Sequence, residues 1–350
     1  MSFPGHGDAL VPAGSLTRNR RHHALVNQAC TTRIQTTVRL SSLGKIQLFV
    51  ALATLNSTIG HAVQDLIISL PLHAGYPAQL VRDCLQLTPN VDNLLLVLPS
   101  FSPVTVLQGV SLPRLRTLST NLPHRILLVF LTLHPSITAL ALDACGGRNR
   151  CPLRNLNLAH FSDLKCPAQC LEGLARGQVA VATVHLTRLA STATLAIRAL
   201  STSPLYSLAI DFFSDDYDIL ARVVAAAPLL RKLKLIEKPR VQRRYHHARR
   251  PWNDLQEWHR MLLQLPFLEE FMLHTPIRLS GPRRPEQVIV NSWANGTTRR
   301  AARHSNLYHI SILQQGPIGD AQSLSHWFRR RGLWERVSAV VVDRDHSFVL

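Results

Sequence analysis

The sequence predicts an α/β solenoid, with parallel strands lining one face and helices backing them. Three observations carry this. A short apolar motif recurs along the chain: an apolar residue, two others, an apolar residue, one other, an apolar residue. The run HPSITALALDAC at 134–145 shows it, with Ile137, Leu140 and Leu142 in the three apolar places. Proline stands one or two residues ahead of many copies, at Pro89, Pro113, Pro135, Pro152, Pro204, Pro228 and Pro266. Proline cannot continue a helix and biases the residue before it away from the α region, so it separates a helix from the next strand. Helical patterns lie between copies. One strand–loop–helix unit cannot bury both its faces, whereas stacked units can.

In chain order, residues 1–22 are polar with glycine and proline, and read as a disordered terminus. Residues 23–55 read as an N-terminal cap. There QTTVRLSS alternates like a strand and LGKIQLFVALATL reads as a helix. The array spans 56–313. Its copies are Val63-Leu66-Ile68, Val91-Leu94-Leu96, Leu115-Leu118 with Thr120, Ile137-Leu140-Leu142, Leu153-Leu156-Leu158, Val181-Val184-Leu186, Leu205-Leu208-Ile210, Leu230-Leu233-Leu235, Leu268-Phe271-Leu273 and Leu307-Ile310-Ile312. The helix QLVRDCLQL places Leu80, Cys84 and Leu87 on one face. DILARVVAAA follows FFSDD, where Ser214 is the predicted cap. WNDLQEWHRMLLQL groups Leu255, Trp258, Leu262 and Leu265. The insertion 238–252 carries Arg240, Arg243, Arg244, Arg249 and Arg250 and reads as a solvated basic loop. Residues 314–350 read as a C-terminal cap: Ser323 starts a short helix, and Trp327, Phe328, Leu333 and Trp334 cover the open end of the core.

The motif resembles the leucine-rich repeat, L-x-x-L-x-L-x-x-N/C, and 137–145 matches it through Cys145. Phe161 and Phe213 take the last place in their copies. The fold class is therefore an irregular leucine-rich-repeat-like horseshoe, with parallel strands on the concave face and helices on the convex face. The segment from 23 also resembles the stretch that follows the F-box in fungal F-box proteins, where a "tvrLsS" strand and an "lqlFv.tL" helix lead into irregular repeats. Residues 1–22 carry no L-P-x-E-like opening, so the chain reads as F-box-like without a recognisable F-box. The resemblance implies the substrate-recruiting part of a ubiquitin-ligase receptor, with the adaptor subunit of cullin–RING ligases as a partner.

Composition bounds the chemistry. Hydrophobic residues are 46% and charged residues 17% of 350, which suits a packed core. The formal net charge is +18, almost all from arginine, since lysine occurs only at 45, 165, 232, 234 and 238. Such a field attracts acidic partners. Arginine runs without a groove-reading or stacking element do not make a nucleic-acid interface, so nucleic acid is not the expected partner. No apolar run spans a bilayer, and six cysteines are too few for a disulfide scaffold. The expectation is a soluble cytoplasmic or nuclear protein. Phosphate loops, nucleophile elbows and metalloprotease motifs are absent, so no catalytic residue, cofactor or enzyme activity is expected. Cys145, Cys151, Cys166 and Cys170, with His160 nearby, lack the C-x2-C knuckle and read as small core residues rather than zinc ligands.

Residues between the apolar places point outward, because strand side chains alternate. The expected binding face therefore carries Asp65, Asn93, Asn155, Asn157, His185, Lys232, Lys234, Glu270 and Met272, with Thr117, Ser119, Thr183 and Ser207 among them. Outward Ile67, Leu95 and Val97 are expected to lie under the 23–55 segment. The functional reading is a non-enzymatic protein–protein interaction module that binds an unknown protein on this face. Its alternatives are a truncated or decayed paralogue with no ligase role, and an arginine-rich nucleic-acid binder.

Overall fold

The computed structural model describes residues 36–71, 73, 75–99, 102–143, 145, 151–156, 160–175, 177–186, 193–238, 250–279, 281, 284–298, 300–315 and 322–342. The expected disordered segment 1–22, Asn157, and Arg240, Arg243, Arg244 and Arg249 of the basic insertion lie outside them.

The described strands form one thirteen-stranded sheet whose spatial order is the sequence order. They are β1 (Thr36–Leu40), β2 (Val63–Ser69), β3 (Asn93–Val97), β4 (Thr117–Thr120), β5 (Ala139–Leu142), β6 (Asp163–Pro167), β7 (Val181–His185), β8 (Ser207–Phe213), β9 (Lys232–Lys238), β10 (Glu270–His274), β11 (His309–Gln315), β12 (Gln322–Arg330) and β13 (Leu333–Val342). Every pairing from β1 to β11 is parallel; β12 and β13 pair antiparallel. Strict sequential order with parallel pairing requires each chain segment to return across the same side of the sheet, which is the solenoid. The returning segments include α1 (Leu43–Leu55), α2 (Ser57–His61), α3 (Ala78–Gln86), α4 (His124–Leu133), α5 (Ala168–Leu174), α6 (Ala193–Leu200), α7 (Ile219–Ala226), α8 (Leu255–Leu263) and α9 (Glu286–Asn295). Among the described residues of two other connections, short 3-10 turns stand at Val104–Leu107 and Pro152–Asn155.

The predicted leucines are the inward row. Leu66, Leu94, Leu118 and Leu140 stand opposite one another on successive strands, and each is essentially buried. Thr120 is the polar exception in the next inward row, opposite Leu96 and Leu142. It is buried and satisfied, donating to Leu96 O at 2.8 Å and accepting from Leu122 N at 3.1 Å. A backbone ladder fixes the register at the strand entrances. Each N–H donates to the previous turn's carbonyl: Arg116 to Asp92, Thr138 to Arg116, Ser162 to Thr138, Ala180 to Ser162, Tyr206 to Ala180 and Arg231 to Tyr206.

That ladder corrects two copies. Among the described residues the predicted strand around Leu153 and Leu156 does not form: Pro152–Asn155 is a 3-10 turn, and the next strand is β6, while Leu158 lies outside the described residues. Leu164 takes the central place, opposite Leu140 and Ala182. Phe161, expected to close a loop, becomes the first apolar residue of that copy and is buried. The next copy is Val179-Ala182-Val184, two residues before the expected register. A shift of two preserves the strand face, so Thr183 and His185 still point outward.

The helices follow their apolar stripes. In α3 the buried positions are Val81, Cys84 and Leu85, with Leu80 and Leu87 half-buried beside them. Trp258, Met261 and Leu262 anchor α8, whose cap Asp254 accepts from Glu257 N. Ser214 does not cap α7; the helix begins at Ile219 after Asp218, and Asp216 pairs with Arg222 at 2.8 Å instead. Among the described residues no helix is long and apolar enough to cross a membrane.

The tail is a hairpin rather than a helix. Arg331 and Gly332 both adopt positive φ, 49° and 81°, the backbone of a two-residue turn matched to strand twist. Trp327 and Trp334 are buried, while Leu333 is exposed. The buried carboxylate of Glu286 on α9 accepts from Gln314 Nε2 at 2.6 Å, Trp327 Nε1 at 2.5 Å and the Ser325 hydroxyl. It fastens the hairpin to the last helix.

Candidate binding face

The open face of the sheet is organised in rows by register. The first runs Asp65, Asn93, Thr117, Ala139, Asp163, Val181, Ser207, Lys232, Glu270 and His309. The second runs Ile67, Leu95, Ser119, Ala141, Lys165, Thr183, Ala209, Lys234, Met272 and Ser311. Parallel strands about 4.8 Å apart place each row's neighbours in side-chain contact range.

Seven of the nine expected face residues stand in these rows or beside them. Asp65 and Asn93 are bonded to each other at 2.6 Å, and Thr37 of β1 adds a bond to Asp65 at 3.2 Å. Lys232 lies 2.9 Å from Glu270, and Tyr308 donates to the same carboxylate at 3.1 Å. Burial opposes charge on Glu270, but the Lys232 ammonium and Tyr308 hydroxyl outweigh it and hold the carboxyl below its ordinary range. Lys234, Met272 and His185 face outward and are half-buried. Asn155 is a correction: it sits in the 3-10 turn Pro152–Asn155, off the sheet. Arg250 is a second correction. It is no part of a free basic loop; its guanidinium lies 2.8 Å from the buried carboxylate of Glu237, which also accepts from Trp252 Nε1 at 3.0 Å and Thr275 Oγ1 at 2.6 Å. Ile67, Leu95 and Val97 are half-buried; β1 extends the sheet beside β2 rather than crossing over these residues.

The structure adds residues that the sequence reading missed. Lys165 joins the second row once β6 replaces the false strand, between Ala141 and Thr183. The signal was present in SDLKCP, where Leu164 and Cys166 show the period-2 pair. Lys165, His185, Asp211, Lys234, Lys238 and His274 spread over β6 to β10 of this face and interact in a chain, Lys165 with His185 and Lys234, and Lys234 and Lys238 with His274. Burial and then the Lys238 and Lys234 ammoniums push the His274 imidazole down to about 4. Burial, followed by Lys165, also lowers the Lys234 ammonium, with Asp211 opposing it. Burial raises the Asp211 carboxyl, against the pull of Lys238 at 3.6 Å. Asp211 Oδ2 accepts from Leu186 N at 3.1 Å, while Oδ1 has no hydrogen-bond partner among the described residues. The patch thus combines lysine ammoniums with two imidazoles that burial and those ammoniums keep neutral. At the C-terminal end His309 stacks on Phe328 at 4.4 Å, and Ser311 bridges His309 and His326 at 2.8 and 2.9 Å. The helix expected for the tail hides His326 and Phe328, whereas His309 and Ser311 fall in the last repeat copy.

Behind the sheet, His124, Cys145, Cys151 and Cys170 place one ligand-type atom each within 4.8 Å of one another, all four buried. Cys166 and His160, grouped with these cysteines on sequence proximity, are not in the set.

No protein-family model matches the chain, and no curated protein matches it. Among solved structures it is similar to the leucine-rich repeat-containing protein LegL7 from Legionella pneumophila, at 14% identity and a TM-score of 0.36, over 66% of this chain and 72% of that one. The fold assignment rests on the strand register and the entrance ladder, not on that likeness.

Proposed function

We propose that the chain is a non-enzymatic protein–protein interaction module whose strand face takes up an acidic protein segment. The observation that supports this is the patch of Lys165, His185, Lys234, Lys238 and His274 in the middle of the sheet. Burial lowers the pKa values of His185, Lys234 and His274, and the neighbouring ammoniums add to the effect. A carboxylate-bearing ligand relieves the repulsion among the ammoniums, and desolvated charges reward a complementary partner more than solvated ones do. A face of parallel strands, broad and shallow, suits an extended polypeptide better than a small molecule.

Selection of displayed random peptides against the chain tests the reading. Peptides rich in Asp and Glu should be enriched. Their affinity should fall at least about tenfold in Lys165→Glu/Lys234→Glu, as expected when like charges replace opposite ones. Arg198→Glu, exposed on α6, serves as the control and should leave binding intact. Enrichment of peptides indifferent to the double variant would remove the proposal. Tight, steeply salt-dependent binding of oligonucleotides instead would favour the nucleic-acid reading.

The finer reading, the recruiting part of an F-box ubiquitin-ligase receptor, is supported by the resemblance of the 23–55 segment. Co-expression with the cullin–RING adaptor followed by gel filtration tests it. Co-elution at one to one supports a receptor; separate elution of a folded chain leaves a stand-alone interaction module or a paralogue without a ligase role.

A further inference from the structure

We propose that His124, Cys145, Cys151 and Cys170 form a structural zinc site that ties three successive turns of the solenoid together. The four residues come from different elements. His124 opens α4, Cys145 follows β5, Cys151 caps the 3-10 turn Pro152–Asn155, and Cys170 lies in α5. Nothing in local sequence spacing brings them together; the stacking of the turns does.

Geometry is the first support. The four candidate ligand atoms lie within 4.8 Å of one another. A tetrahedral zinc with Zn–S near 2.3 Å needs sulfurs roughly 3.8 Å apart, so a contraction of about 1 Å completes the shell. His124 Nδ1 is already 3.2 Å from Cys151 Sγ and 3.8 Å from Cys170 Sγ. Three cysteines and one histidine form an established donor set for structural zinc, with no position left for substrate.

Burial is the second. His124 and Cys170 are fully buried, and Cys145 and Cys151 nearly so. The His124 ring meets only thiol sulfurs at Nδ1, and its Nε2 has no hydrogen-bond partner among the described residues. A buried imidazole whose polar contacts are only thiols is poorly satisfied as a core residue and well satisfied as a ligand.

Position is the third. Among the described residues of the turn between β5 and β6 stands a four-residue 3-10 segment, where most turns carry an α-helix. A metal there cross-links this turn to both of its neighbours. On binding, the three thiols lose their protons to solvent and the histidine binds as neutral imidazole. Three thiolates and Zn2+ leave one net negative charge, and affinity rises with pH.

The test begins with the full chain expressed in zinc-supplemented medium and purified under reducing conditions. Elemental analysis should find about one zinc per chain, falling to below about a tenth in Cys151→Ser and Cys170→Ser. Cys84→Ala and Cys166→Ala should retain it. If the serine variants do not fold, the wild-type chain still decides. Removing zinc with a strong chelator and loading Co2+ should give a thiolate-to-cobalt charge-transfer band and the intense visible bands of a tetrahedral centre. Absence of zinc from the folded wild-type chain, or a cobalt spectrum of octahedral type, would overturn the site. So would an intact mass lighter by two hydrogens, with Cys151 joined to Cys170.

Discussion

At the scale of single residues, Glu237 is a buried charge held by three partners. Its side chain is fully enclosed, and Arg250, Trp252 and Thr275 satisfy it. Removing one partner of a buried pair strands the other charge, which costs about 3–5 kcal/mol. Arg250→Ala should therefore lower stability by that order in urea unfolding, with the affinity of the folded chain for acidic peptides unchanged. A change of less than about 0.5 kcal/mol, typical of surface positions, would mean the guanidinium is solvated after all. Sequence reasoning could not see this pair. Arg250 ends a run of arginines, and only the return of the chain to β9 identifies its partner.

His274 gives a pH prediction at the same scale. Its pKa is held at about 4 by burial and two neighbouring ammoniums, below the unfolded value near 6.5. Between those values the unfolded chain binds more protons than the folded one, so stability rises with pH across that window. The contribution is fully present above about pH 6.5 and is lost as pH falls through about 4. The urea midpoint of the wild-type chain should fall across this window, and His274→Gln should flatten part of the decline. Identical profiles for the two chains would refute the placement of His274 beside Lys234 and Lys238.

At the scale of elements, the strand register makes the sharpest distinction. Leu164 is buried on β6, whereas Leu156 is half-buried at the end of a 3-10 turn. Leu164→Ala should cost about 2–5 kcal/mol, and Leu156→Ala clearly less. The reverse order would restore the strand first read from the sequence. That misreading has a physical cause. LRNLNL satisfies the apolar spacing of the motif, but Pro152 sets the backbone for a tight turn, and the preceding strand's partner lies 24 residues after Leu140, not 16. Apart from the next copy, where the spacing also fits two residues late on the same face, the repeated leucines specified the register, because a residue buried on one face leaves no freedom for a one-residue slip. The tail shows the opposite failure. Its alternating pattern and Arg331-Gly332 turn are a hairpin signature, overridden in the sequence reading by a serine that suggested a helix cap. Gly332→Ala should cost about 1 kcal/mol, since its φ of 81° disfavours a side chain.

At the scale of the whole molecule, the fold was largely legible and the binding face only in part. A repeated motif reports each unit and its neighbours, so architecture follows from sequence. A face is assembled from residues dozens of positions apart, and every error of register moves a residue on or off it. Asn155 left the face and Lys165 entered it through the same misplaced strand. What emerges is a basic patch at the centre of the sheet on a chain of net charge +18. Binding there should weaken with added salt, as expected for charges screened over about 8–10 Å near physiological ionic strength.

Photo-cross-linking decides whether that patch is the binding face. An enriched acidic peptide carrying benzophenone at its centre would be irradiated with the wild-type chain, and the attachment site read by mass spectrometry. The predicted result is attachment on the outward residues of β6–β10, Thr183 and Met272 foremost, lost when Lys165 and Lys234 become glutamate. Attachment to the helix layer, at positions such as those of α6 or α8, would contradict the assignment of the strand face as the binding surface.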